Sequence, residues 1–483
     1  MLGASLNKVF DYFKSRWQSS WNYSLWALLI FPLSPFLGAV TIGFVSLITL
    51  LKQYRKISRR PLNWGFALLS VLLIVTAGFA QDKTAAFVGL FNLLPFFLLF
   101  AAHSTLIQTF AQLRQMAWIL VIGSMPVAII GLGQLFLGWS LKFEVLWIVF
   151  AWTIRPGGNP PGRIASLFLH ANTFAAYLAI IFILGLGLWL ENYQQLRAKT
   201  KQRGLLPTPS SVFWSWGDAK DASGVYASRV AAVQKSFLPH FSTPNFPLPL
   251  LFLTVAMITN FIALIFTNSR NGWAIAILAC LAYALYQGWR VLVGGVAAIV
   301  ASVLLAAFSP SPVAQFFRQY VPAFFWARLN DDMYPGRPVA LMRKTQWDFA
   351  WSLAEKHPLT GWGLRSFSGL YKAQMQIPLG HPHNLFLMLS AETGFPSTFL
   401  FCGLLAWILI TGVQLLRKSK YMNTEDRLIF FSYLLAFVGW VLFNTVDVTL
   451  FDFRLNTLSW LILAGICGVA HRYNQQDRLA SHP

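Results

Sequence analysis

The sequence has 483 residues, of which 56% are hydrophobic and only 11% are charged. An ordinary soluble domain carries about 25% charged residues, so this composition excludes a soluble enzyme, a fibre and a disordered chain. The formal net charge of +21 comes from 37 Lys and Arg against 16 acidic residues, and many basic residues lie in short segments between apolar runs. Basic residues in such segments orient membrane proteins, so we expect no nucleic-acid partner.

The apolar runs predict an all-α polytopic integral membrane protein with about twelve transmembrane helices. An amphipathic helix over residues 6–17 is predicted to lie in the membrane interface before the first span. The first two spans together are shorter than the roughly 40 residues that two full crossings need. The predicted spans cover roughly residues 18–34, 36–51, 61–80, 85–102, 116–136, 164–190, 248–267, 272–288, 291–308, 385–412, 429–446 and 455–470.

The distribution of basic residues predicts the orientation. An even number of spans places both termini on one side, and the segments on that side contain 23 Lys and Arg against 14 on the other. Lys and Arg are enriched in short cytoplasmic loops, so both termini are predicted to be cytoplasmic.

Two long connections divide the chain. Residues 1–308 are predicted to hold about nine spans, interrupted by a cytoplasmic insertion over 191–247. Residues 309–384 are predicted to form a large external loop with structure of its own. Residues 385–483 would add three spans and a short cytoplasmic tail.

The external loop contains a predicted amphipathic helix. Thr345, followed three residues later by Asp348, resembles a capping box, and an apolar face continues until Pro358 ends the helix. We expect this helix to pack on the membrane surface.

Two arginines are predicted at the external ends of apolar spans. Arg270 occupies a tight turn over residues 267–273, and Arg163 is predicted to open the sixth span. Insertion scales give a cost of about 2.5 to 3.5 kcal/mol for Arg at a helix centre, so each guanidinium should face a cavity or an anion. Each could be a simple topological anchor, but its planar fork also suits phosphate oxygens. Together the two could grip one diphosphate.

Further polar residues are predicted inside that sixth span. His170 and Asn172 would be either hydrogen-bond partners between helices or the lining of a water-filled crevice.

The most specific local pattern is Gly380-His381-Pro382-His383-Asn384, which closes the external loop. Metal binding is not expected, because a third ligand at close sequence spacing is missing. One interpretation is a polar interface cap ordered by Asn384. The other is catalytic, because a histidine at the mouth of an apolar cavity can remove a hydroxyl proton or bond to a phosphate.

Other charged residues in the loop have two interpretations. They could extend an anion path or face solvent and headgroups. They are Arg337, Arg343, Lys344 and Arg365.

Acidic residues in the last spans are expected to be structural. Glu392 would be satisfied within the bundle, or else support His383. Asp447, Asp452 and Arg454 are predicted to form an ion-pair cluster near the last external turn.

Three motifs together resemble the O-antigen ligase and polymerase family. They are Ser-Arg-Asn-Gly-Trp at residues 269–273, His-Pro-Leu-Thr-Gly-Trp-Gly at 357–363, and His-Pro-His-Asn at 381–384. The resemblance covers about residues 160–470, with Asn271 in place of the family's usual second glycine after the turn arginine. It implies a GT-C-like helical bundle in the inner (plasma) membrane, with a large periplasmic loop.

The resemblance also implies a function. Members of this family join or polymerise a glycan from an undecaprenyl diphosphate donor onto the hydroxyl of a glycan or lipid acceptor. The implied reaction is inverting and needs no metal or other cofactor, and membrane lipids surround the enzyme. Arg163 and Arg270 would correspond to diphosphate-binding arginines, and His383, with His381 as second candidate, to the catalytic histidine. Further candidate substrate-binding residues are Arg337, Arg365 and Asn384.

One branch of the same superfamily is described as bicarbonate transporters or inorganic-carbon accumulation proteins. Its members share the loop and the arginine turn, and an arginine-lined external cavity would also suit bicarbonate. Bicarbonate transport is therefore the alternative function. The transferase is favoured because a carrier needs a path open alternately to both sides, whereas the polar residues here cluster on one.

Overall fold

The computed structural model describes residues 20–145, 150–202, 248–329, 338–418 and 422–481. Within these residues, ten helices are long and apolar enough to cross a membrane. The strands of the described part form a single two-stranded hairpin. The prediction of an all-α polytopic membrane protein is therefore confirmed. The predicted interface helix over 6–17 and residues 203–247 of the predicted insertion lie outside the described residues.

The helices are joined mostly by short turns. In chain order the elements are α1 (20–30), α2 (Pro35–Ser58), α3 (Pro61–Gly78), α4 (Lys83–Leu90), α5 (Leu94–Leu106), α6 (Phe110–Phe136), β1 (Leu141–Val145), β2 (Phe150–Ile154), α7 (Ala171–Gln202), α8 (Leu248–Phe266), α9 (Arg270–Tyr286), α10 (Arg290–Phe308), α11 (Val313–Tyr320), α12 (Ala323–Leu329), a 3-10 turn (Val339–Leu341), α13 (Arg343–Lys356), α14 (Ser366–Met375), α15 (Leu385–Lys418), α16 (Thr424–Asn444) and α17 (Phe453–Ser481).

Each of the twelve predicted spans has a helical counterpart in the described residues. The hydrocarbon core is roughly 30 Å thick. At 1.5 Å per residue, the described part of α1 is about 17 Å long. Helix α9 has 17 residues and is about 25 Å long. The span predicted at 85–102 is divided into α4 and α5 by a turn at residues 91–93, just before Pro95.

The sixth predicted span begins later than expected. Helix α7 starts at Ala171, so Arg163 does not open it and His170 precedes it; only Asn172 lies inside, in the first turn. The preceding loop is held in a non-helical form by Gln134, which is 1% exposed. Its Oε1 accepts hydrogen bonds from the backbone N–H groups of Ala165, at 3.1 Å, and Ser166, at 3.0 Å. These N–H groups are therefore satisfied without a helix.

Aromatic packing and a close helix approach hold the C-terminal helix in the bundle. Trp460 of α17 makes edge contacts with Phe66 and Phe97, at centroid distances of 5.5 and 5.2 Å. A Cβ atom on Gly468 would lie 2.0 Å from the carbonyl oxygen of Ile107, so glycine permits the approach of the two backbones. Such tight contacts replace the hydrophobic effect, which is absent between helices in lipid.

The bundle has two polar ends. At one end, Arg114 of α6 is paired with Glu191 of α7 and with Asp426 of α16. At the other end lie Gln134 of α6, the start of α7 and Asp447, which follows α16. We call this second end the site end, because most of the candidate residues lie there, and the first the opposite end.

The segment between α10 and α15 contains four helices and a 3-10 turn in its described part. The predicted helix after residue 345 is confirmed as α13, which ends at Lys356. The predicted capping box is wrong: α13 begins at Arg343, and its N-cap residue Met342 makes no side-chain capping bond. Thr345 therefore lies inside the first turn.

Candidate functional site

The histidine segment leads directly into α15. Asn384 caps this helix, because its Oδ1 accepts hydrogen bonds from the N–H groups of Phe386 and Leu387, each at 3.0 Å. His383 immediately before it has φ 52°, in the left-handed region that non-glycine residues seldom adopt. This geometry turns the imidazole toward the loop between α16 and α17. The role of Asn384 in substrate binding stays a prediction.

His383 is bonded to Asp447. The Nδ1 of His383 lies 3.1 Å from Oδ1 of Asp447, which also accepts the N–H of Val448 at 2.9 Å. Burial alone would raise the pKa of Asp447, but the hydrogen bond from His383 and the electrostatic interaction with the two histidines outweigh it, so the net shift is downward. The carboxylate is therefore ionised and an acceptor, which assigns a proton to Nδ1 of His383; in the neutral imidazole the lone pair is then on Nε2.

His381 lies beside this pair. Burial and the neighbouring His383 lower its pKa to about 4, against the opposing effect of Asp447, so it is neutral at pH 7. Its Nδ1 accepts the backbone N–H of His383 at 3.2 Å, which assigns its proton to Nε2. That Nε2 lies 4.0 Å from Oδ1 of Asp447. This distance is too long for a hydrogen bond.

Three side chains of this cluster could hold a metal by distance alone. The ligand atoms of His381, His383 and Asp447 lie within 4.8 Å of one another. The sequence near the two histidines offers no third metal ligand. The fold supplies one in Asp447, which is 64 positions after His383. By geometry these three groups could therefore hold a metal ion, and the independence of the reaction from metal stays a prediction.

Arg163 is connected to the same carboxylate. Its Nη2 donates to Oδ1 of Asn172 at 2.6 Å, and Nδ2 of Asn172 donates to Oδ2 of Asp447 at 2.9 Å. A continuous chain of hydrogen bonds therefore runs from Arg163 through Asn172 and Asp447 to His383. Asn172 is thus a hydrogen-bond partner between separate segments, but both partners lie in loops and not in helices. That it lines a water-filled crevice stays a prediction.

Arg163 is bonded to the turn that carries Arg270. The Nε of Arg163 donates to the carbonyl oxygen of Thr267 at 2.8 Å, and Arg270 follows three residues later as the first residue of α9. Ser269 caps that helix through the N–H of Gly272. Arg270 is exposed, and it lies at a helix N-terminus, where the backbone dipole favours an anion.

The remaining candidates are placed differently. Arg337 lies outside the described residues. Arg365 is exposed at the start of α14, with φ 67°. Among the described contacts, none joins Arg365 to Arg163, His381 or His383, so its part in binding stays a prediction.

Glu392 does not contact His383 in the described structure. Its Oε1 accepts the backbone N–H of Phe367 at the start of α14, at 3.2 Å, and the carboxylate is 2% exposed. Around it, the 357–363 segment docks on a break in α15, where Trp362 and Gly363 donate to the carbonyls of Ala391 and Glu392. Glu392 thus joins the loop to the bundle. Its Oε2 is buried without a hydrogen-bond partner among the described residues, so the prediction that it is satisfied within the bundle is met only in part.

Asp447 is the residue whose role the sequence did not indicate. The expected cluster of Asp447 with Asp452 and Arg454 is wrong in its first member, which belongs to the histidines instead. Arg454 lies over the ring of Phe168 at 4.6 Å and near Asp452. One feature of the sequence could have indicated this role: Asp447 is a carboxylate at the end of a span, in a chain with only 16 acidic residues.

The comparisons with known proteins concern the centre of this site. Residues 255–402 match the family model of O-antigen ligase. The match covers 148 of the 483 residues, and includes Arg270, the loop motif and both histidines. Arg163, Asn172 and Asp447 lie outside the O-antigen ligase match. Arg163 and Asp447 are bonded to residues within it, and Asn172 joins these two to each other. Comparison with curated proteins found no match.

With the ten candidate spans, the O-antigen ligase match supports a multi-pass membrane protein of the glycan ligase or polymerase kind. A resemblance seen in short motifs is thereby supported by a match over a continuous segment.

Proposed function

We propose that the protein transfers a glycan from an undecaprenyl diphosphate donor to an acceptor hydroxyl, as a ligase or a polymerase. The carrying observation is the bonded chain from Arg163 through Asn172 and Asp447 to His383, with Arg270 on the adjacent turn. It holds cationic groups and a histidine with a free nitrogen lone pair at one end of a membrane bundle. A diphosphate leaving group and a hydroxyl nucleophile need these two kinds of group.

The arginines would act on the donor. As the bond between the sugar C1 and the phosphate oxygen breaks, its electron pair passes to the diphosphate, where negative charge increases. Guanidinium groups held in fixed positions stabilise that charge more in the transition state than in the ground state. Arg163 is fixed by its bonds to Thr267 and Asn172, so little reorganisation would be needed.

His383 would act on the acceptor. Its Nε2 accepts the hydroxyl proton as the oxygen attacks C1, while Nδ1 stays bonded to Asp447, whose charge stabilises the imidazolium. Attack on the face opposite the leaving diphosphate inverts the anomeric centre. The products are the new glycoside, the carrier diphosphate and a proton on His383, which later passes to water.

The proposed setting is the inner membrane, with the site end facing outward and both termini in the cytoplasm. The excess of Lys and Arg in segments at the opposite end supports this orientation. A lipid tail of the donor would then lie between helices while its diphosphate reaches the site end.

The test uses the purified full-length protein with an undecaprenyl diphosphate-linked glycan and an acceptor, with EDTA in a parallel reaction. We expect release of free carrier diphosphate at the same rate with and without EDTA. His383→Asn keeps a donor to Asp447 near the Nδ1 position but lacks Nε2, so it should lose activity by 100-fold or more. The matched control is His357→Asn, which should keep its activity because His357 is an exposed residue directly after α13.

The alternative makes a different prediction. If the protein transports bicarbonate, labelled bicarbonate should enter sealed vesicles and Arg270→Ala should abolish the flux, with no carrier released. Carrier release by wild type that persists unchanged in His383→Asn would contradict the proposed role of His383.

A further inference from the structure

A cavity lined by both polar and apolar side chains lies at the opposite end of the bundle. Its volume is about 410 Å³, and its walls are the start of α3 and the second halves of α15 and α17. These walls belong to three candidate membrane spans. Its lining includes Arg60, Asn63, Trp407, Cys467, His471 and Asn474.

Arg60 is the central group of this cavity. It is only 6% exposed, and its Nη1 donates to both the carbonyl oxygen and the hydroxyl of Ser104, at 3.0 Å each. Within the described residues, no carboxylate forms an ion pair with Arg60, and its Nε and Nη2 have no protein acceptor. A buried guanidinium is stable only when a counter-charge or hydrogen-bond acceptors replace the lost water. Within the described part of the chain, two of its three nitrogens therefore have no acceptor and could bind one from a ligand.

The ionisation of Arg60 is consistent with this. Burial lowers its pKa from the ordinary value, and the opposing effect comes from the thiol of Cys467. Arginine nevertheless remains protonated in proteins, so the positive charge persists in the cavity.

The rest of the lining matches a molecule with two different parts. Asn63, Asn474 and Gln475 offer amide groups that can donate to phosphate oxygens. Trp407 and Ile408 line the same cavity with apolar surface, and Trp407 is 49% exposed on the outside of α15. Tryptophan at such a position is typical of the boundary between headgroups and acyl chains.

We propose that this cavity binds the phosphate-bearing headgroup of an anionic membrane lipid, with Arg60 as its counter-charge. The cavity opens between spanning helices, so the acyl chains can follow the outer surface of α3 and α15 while the phosphate meets Arg60. A basic pocket between spanning helices is a common form of lipid headgroup site. This site is separate from the proposed transferase site and does not depend on it.

The experiment measures lipid retention by the full-length protein. Purified protein is equilibrated with mixed micelles of detergent with equal amounts of phosphatidylglycerol and phosphatidylcholine, and bound lipid is counted by native mass spectrometry. Wild type should retain phosphatidylglycerol at least 10-fold better. Arg60→Gln should remove the preference, whereas Arg59→Gln, which removes an exposed charge one residue away, should keep it.

Two further arms make the result decisive. Asn474→Phe fills the cavity but leaves Arg60 and its bonds to Ser104, so it should also lose the preference, even if Arg60→Gln does not fold. Excess inorganic phosphate should not displace the lipid. Equal retention of both lipids by wild type, an unchanged preference in Asn474→Phe, or displacement by phosphate alone would each overturn the lipid assignment.

Discussion

Asp447 and His383 are joined by a 3.1 Å hydrogen bond although 64 residues separate them in sequence. The bond uses Nδ1 of the imidazole, so the other nitrogen is left for a substrate proton. The same carboxylate accepts from Asn172, which in turn accepts from Arg163. One buried acidic residue therefore orients the proposed base and, through one amide, the proposed anion-binding arginine.

Replacing that carboxylate by an amide should show whether Asp447 positions His383 or contributes to binding of the donor. Asp447→Asn cannot stabilise an imidazolium and can donate to Nδ1, which favours the unproductive tautomer of His383. We expect kcat to fall by about 100-fold or more, with the donor KM changed much less. Asp447→Glu should recover part of kcat. An increased KM with unchanged kcat would contradict the positioning role, and steady-state kinetics across a pH series provide the measurement.

Arg270 and Arg290 offer a matched pair. Each is exposed and is the first residue of a helix, α9 and α10, and the two lie at opposite ends of the bundle. Arg270→Ala should lower kcat/KM for the donor by about 10- to 100-fold, the size expected for lost charge-assisted bonds. Arg290→Ala should leave it unchanged. Arg270→Lys should be intermediate, because it keeps the charge but not the fork. Equal effects of the two alanine variants would exclude a specific diphosphate contact.

The parts of this structure that the sequence predicted are those imposed by the membrane. Spans need a fixed length of apolar residues, so hydropathy locates their helices within a few residues. The late start of α7 was not predictable in this way, because it depends on the buried amide of Gln134 on another helix. The pairing of His383 with Asp447 was missed for the same reason, since long-range contacts leave no local pattern.

Gly361 allows the loop to dock on α15. Its φ is 65°, and a Cβ atom there would lie 2.4 Å from the carbonyl carbon of Glu392. Gly361→Ala should therefore displace the bonds from Trp362 and Gly363, and lower the free energy of unfolding by about 2 kcal/mol or more. Gly369→Ala is the control, because Gly369 is helical in α14 with open space around it. That change should be neutral or stabilise by about 0.5 to 1 kcal/mol. Thermal unfolding in detergent, at one scan rate, distinguishes the two.

The low pKa of His381 predicts a loss of stability in acid. Its folded-state value is about 4, whereas an unperturbed histidine titrates near 6.5. Between these values the unfolded chain binds a proton at this position that the folded protein does not. The free energy of unfolding should therefore decrease as pH falls through this window, by about 3 kcal/mol at most. Above pH 6.5 this residue should contribute no pH dependence.

The matched variant is His381→Asn, whose side-chain oxygen can accept the N–H of His383 as Nδ1 does. It has no titratable group, so its apparent unfolding temperature should fall less than that of wild type between pH 6.5 and 4.5. His170, whose pKa is also lowered, chiefly by burial and by the charge of Arg163, remains in both proteins and should give a common slope. Asp447 has a lowered pKa and loses its charge only below this window, so it does not mask the difference. Parallel curves for the two proteins would show that His381 is not held neutral by the fold.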